Sequence, residues 1–198
     1  MKTLDRRPYR MGARAAAAAE TGERILDAAV EVFWEGPDAV SLDEVARRAG
    51  VTVQTVIRRF GGRDGLFSAA SVRESDRIRA QRDEAPVGDL TGAVRVLCEH
   101  YEEVGDRVLR MLVEEDRVPG IRHLAESGRA YHRAWCARVF APALAGLSPS
   151  DKKRRLAQLV AVCDVLTWKL LRQDAGLSRQ QTERALVELL TPLQKGAR

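Results

Sequence analysis

Twenty residues, Ser41 to Phe60 (SLDEVARRAGVTVQTVIRRF), restrict what this chain can fold into more than any other stretch. Ser41 and Glu44 have the spacing of a capping box, in which the serine oxygen accepts a backbone N–H three residues on and the glutamate reaches back. A helix is predicted from there, with Leu42, Val45, Ala46 and Ala49 on one face and Gly50 able to adopt the left-handed conformation that ends it. Thr52 is the candidate N-cap of a second helix whose apolar side is Val53, Val56, Ile57 and Phe60, stopped by Gly61-Gly62. So short a connection makes the two helices cross steeply, as in a helix-turn-helix. From Arg47 to Arg63 every charged residue is an arginine: Arg47, Arg48, Arg58, Arg59 and Arg63.

Helices this short do not hold together alone. Upstream, Ile25, Leu26, Ala29, Val32 and Phe33 fall on one face of a helix predicted over Glu23–Glu35, which gives the pair an apolar surface. Residues 1–20 read as a flexible basic arm carrying Lys2, Arg6, Arg7, Arg10 and Arg14, although the run Ala15 to Ala19 could extend the first helix backwards. Past Gly62 a fourth helix turns Leu66, Phe67 and Ala70 inward and is mostly charged from Arg73 to Glu84. Ala85-Pro86-Val87-Gly88 is a break, so a head with a linking helix is placed at 21–84 and a second domain at 89–198.

The second domain reads as helical throughout, with about nine helices in the whole chain and no sustained strand-like alternation. One or two helices cover Asp89 to Glu115, with Gly105 as a possible break; another follows Pro119 and ends or bends near Pro142. Ser148-Pro149-Ser150-Asp151 starts a helix expected to run to Asp174, and Ser178 with Gln181 caps the last one. These two helices form a hairpin whose apolar stripe, including Leu166, Leu170, Leu186, Leu189, Leu190 and Leu193, is expected to meet a second copy and build a four-helix homodimer interface.

Composition narrows the partners. The 198 residues suffice for a sizeable core, and a formal charge of +5 suits a polyanion. The apolar run from Leu156 to Trp168 is interrupted by Gln158 and Asp164 and is shorter than the ~20 residues of a membrane span, so a cytoplasmic protein with no membrane partner is expected. Cys98, Cys136 and Cys163 are odd in number and sit in apolar surroundings, as free core thiols do. His132 and Cys136 have an i, i+4 spacing that could place two metal ligands on one face, but no third ligand stands out, and neither a phosphate-binding glycine loop nor a nucleophile elbow is present. No metal, cofactor or enzymatic activity is expected.

The segments R24-I25-L26-x-A28-A29-x-x-x-F33, S41-L42-x-x-V45-A46-x-x-A49-G50-V51-T52 and F60-G61-G62-R63-D64-G65-L66 together resemble the TetR (tetracycline-repressor-like) family. The resemblance implies an all-α homodimer with an amino-terminal helix-turn-helix head, a helical ligand-binding body, and repression of transcription relieved by a small molecule. It departs from the family where Ile57 stands in place of a phosphate-binding tyrosine and Arg59 in place of a histidine. On double-stranded DNA, Gln54, Thr55 and Arg58 are the candidates for base edges, since glutamine pairs with adenine and arginine with guanine. Ser41, Arg47, Arg48 and Arg63 are the candidates for holding the backbone, and Thr52 and Arg59 are further DNA-binding candidates. Tyr101, Met111, Tyr131, Trp135, Asp164 and Trp168, with His100 beside them, lie on helices the family packs around its effector, and Asp164 is expected on one helical face with Trp168. Two readings stay open beside this one: an architectural DNA binder with no small-molecule switch, and a helical protein-interaction module.

Overall fold

The computed structural model describes residues 7–35, 41–117 and 119–194, with side chains from Ala15 onward apart from Pro119. Among these residues there are ten α-helices and one π-helical turn, and no strand. The chain divides into two compact units, residues 1–76 and 77–198.

The first unit is the head. Helix α1 (Arg7–Glu35) begins earlier than the apolar pattern does, so the alanine run and the residues before it from Arg7 belong to a helix rather than to an arm without structure. Residues 1–6 and the side chains of Arg7, Arg10 and Arg14 lie outside the described ones, as does the Gly36-Pro37 stop. Helices α2 (Leu42–Ala49) and α3 (Val53–Phe60) have the expected bounds. Gly50 closes α2 at φ 64°, and Gly61 closes α3 at φ 80°, a region where a side chain would be strained. Ile25, Val45 and Val56 are fully buried and form one apolar centre with Val32, Ala46, Ala49 and Leu66. Leu66 and Ala70 come from α4 (Arg63–Asp83), and Phe67 rests half-buried on Phe33 at 5.3 Å between ring centroids.

In the second unit, α5 (Leu90–Glu114) is one unbroken helix. Gly105 does not split it: a Cβ there would lie 2.6 Å from the ring of Trp168, so the glycine lets the indole press on the α5 backbone. Helix α6 (Pro119–Val139) is followed by the short α7 (Ala141–Leu144) and then α8 (Pro149–Val162). Ser148 caps α8 as expected, but the helix stops at Val162 instead of running to Asp174. Asp164 is a helix N-cap and not an interior residue: its carboxylate accepts the Leu166 N–H at 2.9 Å and starts α9 (Val165–Lys169), which continues as a π-helical turn, Leu170–Asp174. A carboxylate in an apolar run is thus satisfied by the backbone it frees. The box before α10 (Arg179–Gln194) forms in both directions, Gln181 N–H to Ser178 Oγ at 3.2 Å and Ser178 N–H to Gln181 Oε1 at 2.9 Å.

This unit's core contains Leu97, Tyr101, Trp135, Phe140, Leu159, Trp168, Leu186 and Leu190. Arg82 and Ala85 are also buried in this unit, which is why the division falls at 76/77 and not at the Ala85–Gly88 break. Replacing Gly105 by alanine should lower the stability of this unit by about 1–3 kcal/mol, the usual cost of overpacking, read as an earlier denaturation midpoint by circular dichroism; an unchanged midpoint would show that Trp168 is not held against α5.

Candidate nucleic-acid interface

In the head, α2 and α3 are each started by a hydrogen bond that the sequence dictates locally. Ser41 Oγ accepts the Glu44 N–H at 3.1 Å, and Thr52 Oγ1 accepts the Thr55 N–H at 3.2 Å. The Glu44 half of the predicted box is absent because its carboxylate is taken by two guanidinium groups. Arg47 binds it through Nε and an Nη at 2.8 and 2.6 Å, and Arg48 Nε binds it at 2.6 Å. The remaining nitrogens of Arg48 grip Glu35 of α1 at 2.7 and 2.6 Å, and Glu31 lies 3.9 Å away. Arg48, expected to hold a phosphate, therefore also clamps α1 to α2. Arg47 projects further into solvent but is paired with Glu44.

Bonding first to Arg47 and then to Arg48 holds the Glu44 carboxyl down at about 2, against an ordinary 4.5, and bonding to Arg48 lowers Glu35 as well. A carboxylate whose folded pKa is depressed adds stability that is complete above the unfolded value and is lost as pH falls toward the folded one.

The α3 side chains divide by orientation. Val56 is fully buried, Val53 and Phe60 are half-buried, and Ile57, expected in the core, is 39% exposed. One position past Val56 on an eight-residue helix is a turn of about 100° toward solvent. Gln54, Arg58 and Arg59 are exposed, as are Ser41, Thr52 and Arg63. Thr55 is less free than expected, being half-buried with its hydroxyl 2.9 Å from that of Thr52. Arg59 lies across α1: a Cβ on Gly22 would meet its guanidinium at 2.2 Å, so Gly22 makes room for it. Thr55, Arg58 and Arg59 line a groove of about 380 Å³ with Ala18 and Thr21 of α1. Gly22 and Glu35 were missed as functional positions; the usable signal was a glycine inside a helix, where it costs about 1 kcal/mol unless a close approach requires it.

The second unit places the expected effector residues less favourably. Tyr101, Trp135 and Trp168 are core residues: the Tyr101 hydroxyl donates to Cys163 O at 2.9 Å, and Trp135 Nε1–H donates to Arg82 O at 2.8 Å. His100 is buried 3.2 Å from Gln81 Oε1, and burial pushes its pKa down to about 3, so it stays neutral. Tyr131 is half-buried and donates to Arg79 O and Asp83, while Met111 is half-buried. Leu166, Leu170 and Leu189 are about half exposed at 54%, 59% and 49%, and Leu193 is half-buried. Leu186 and Leu190 are corrected out of the expected dimer stripe, since they point into their own unit's core. His132 and Cys136 stand 3.9 Å apart, and among the described residues no three His, Cys, Asp or Glu groups are arranged to hold a metal.

A capped helix pair seated on a longer helix, with glutamine and arginines outward on the second, is a helix-turn-helix arrangement. Residues 25–70 match the family described as bacterial regulatory proteins, tetR family. Its relatives include two HTH-type transcriptional regulators of Pseudomonas putida, SrpR and TtgW, each 50% identical over 56 residues, 28% of this chain. The chain spans 26% and 42% of the lengths of those two proteins. A transcriptional regulator from Rhodococcus sp. Rha1 has the same fold over 87% of this chain and 95% of its own, at a TM-score of 0.64 and 23% identity. All three are described as transcriptional regulators. Among the described residues no helix is long and apolar enough to cross a membrane.

As pH falls from about 4.5 toward 2, the α1–α2 clamp should loosen, and Glu44→Gln should remove that part of the pH dependence. Hydrogen exchange of the α2 amides across this range checks it, with identical profiles for the two proteins counting against the clamp.

Proposed function

We propose that the chain is a transcriptional regulator that holds a palindromic DNA site as a homodimer, most simply a repressor released by a small-molecule effector bound to its second unit. The observation that carries the DNA reading is the outward display of Gln54, Arg58 and Arg59 on a helix whose opposite side is anchored by Val56. Placed in a major groove, Gln54 and Arg58 reach base edges, and the exposed Ile57 side chain offers an apolar contact to a thymine methyl. Arg59, braced on Gly22, faces the DNA backbone with Thr21 and Arg63. Leu166, Leu170 and Leu189 supply exposed apolar surface for a second copy, and a two-fold pair of heads spans half-sites about one DNA turn, ~34–36 Å, apart.

The packed aromatic residues of the second unit favour one further reading, a DNA-binding protein with no small-molecule switch. Displacement from DNA by a metabolite separates the two.

Arg58→Ala should relax selectivity at one base position per half-site by about 1–3 kcal/mol. Arg59→Ala should weaken binding to all sequences and flatten the dependence of log K on log salt by roughly 0.9 per lost phosphate contact. Titrations of both variants on one duplex at several salt concentrations would count against the reading if neither property changed.

A further inference from the structure

The second unit buries an arginine without a carboxylate. Arg82 is 3% exposed, and among the described residues the polar side chain that meets its guanidinium is His132, whose Nδ1 lies 3.0 Å from an Nη. An arginine only donates, so His132 Nδ1 accepts, with its Nε2–H toward Val160 O at 3.2 Å. The Nε of Arg82 is buried and has no partner. The guanidinium carbon stands 4.3 Å from the Trp135 ring centre and 5.6 Å from that of Tyr131. Ring faces and one neutral acceptor replace only part of a guanidinium's hydration, so a permanent charge held this way is costly until a countercharge joins it. The adjacent Asp83 does not serve, since its carboxylate is taken by Arg138 at 2.8 Å.

We propose that Arg82 anchors a binding site for a small aromatic carboxylate, which supplies the missing charge. The proposal deepens, and rests on, the reading of the second unit as the one that binds an effector. Donor geometry selects the headgroup: a guanidinium presents its Nε–H and one Nη–H side by side, a fork that matches the two oxygens of a carboxylate. Charge balance selects a monoanion. Burial keeps His100 neutral and His132 acts as an acceptor, so the buried cluster holds one positive charge, and a phosphate dianion would overshoot it and lose more hydration.

The neighbours select the body of the ligand. Tyr131 is the half-buried member of the cluster, and its ring lies near two guanidinium groups, those of Arg79 and Arg82, each with its central carbon 5.6 Å from the ring centre. Its hydroxyl has one proton to divide between Arg79 O and Asp83 Oδ1, both at 3.3 Å, which is a loose tether. Tyr131 is the cover that swings aside, and a flat apolar ring carrying a carboxylate takes the space it leaves beside Arg82.

Binding is read on the full chain without DNA. Benzoate, phenylacetate and 1-naphthoate, each against its neutral amide, are titrated by calorimetry. At least one acid should saturate at one molecule per chain, with its amide roughly thirtyfold weaker or worse, as expected when one partner of a buried charge pair is removed. Arg82→Met should lose a similar factor. Its denaturation midpoint without ligand should match or exceed that of the parent chain, because an unpaired buried charge is gone, so the lost binding is not unfolding. Tyr131→Phe, which frees the cover, should bind the same acid roughly threefold more tightly. Equal binding of acid and amide, binding retained by Arg82→Met, or no saturable binding of any of the three acids at millimolar concentration would overturn the proposal. An acid that binds through Arg82 but leaves the affinity for DNA unchanged would support the site and overturn the effector switch, so the two failures are distinguishable.

Discussion

The packing of α1, α2 and α3 around a few shared buried side chains is the contact on which the rest of the head depends. Ile25, Val45 and Val56 are each fully buried, one from each of the first three helices, and together they fix the face that α3 turns to solvent. An eight-residue helix has little stability of its own, so the orientation of α3 comes from this centre and from the caps at its two ends, Thr52 and Gly61. Once Val56 points in, Gln54 and Arg58 must point out. The surface proposed to read DNA is thus a by-product of apolar burial, and charge decides only what that surface meets.

Charge also has a structural role in the head. Arg48 commits its donors to Glu44 and Glu35, tying α1 to α2, and Arg59 is laid over Gly22 of α1. An arginine-only stretch in the sequence therefore overstates the free positive charge, because its carboxylate partners lie upstream of it. Of the five arginines, Arg58 and Arg59 are the ones presented by α3 itself.

What was readable from the chain follows the range of the interactions. Caps at Ser41, Thr52, Ser148 and Ser178 are local, act over three residues, and are found where the sequence puts them. Longer-range features were not readable. Asp164 looked like a helix-interior carboxylate because its helical surroundings hide the break that it caps. Leu186 and Leu190 share the periodicity of Leu189, yet only the neighbours of α10 decide which side of the stripe is covered. The division at 76/77, ahead of the Pro-Gly break, likewise depends on Arg82 and Ala85 being buried in the second unit.

A selection of bound fragments from random duplexes by the full chain, followed by footprinting of the enriched sequence, tests the account of the head most directly. The expected result is a palindrome protected in two patches about one DNA turn apart, ~34–36 Å, on one face of the duplex. Enrichment of a single unrepeated site, or binding to all duplexes alike at every salt concentration, would contradict it.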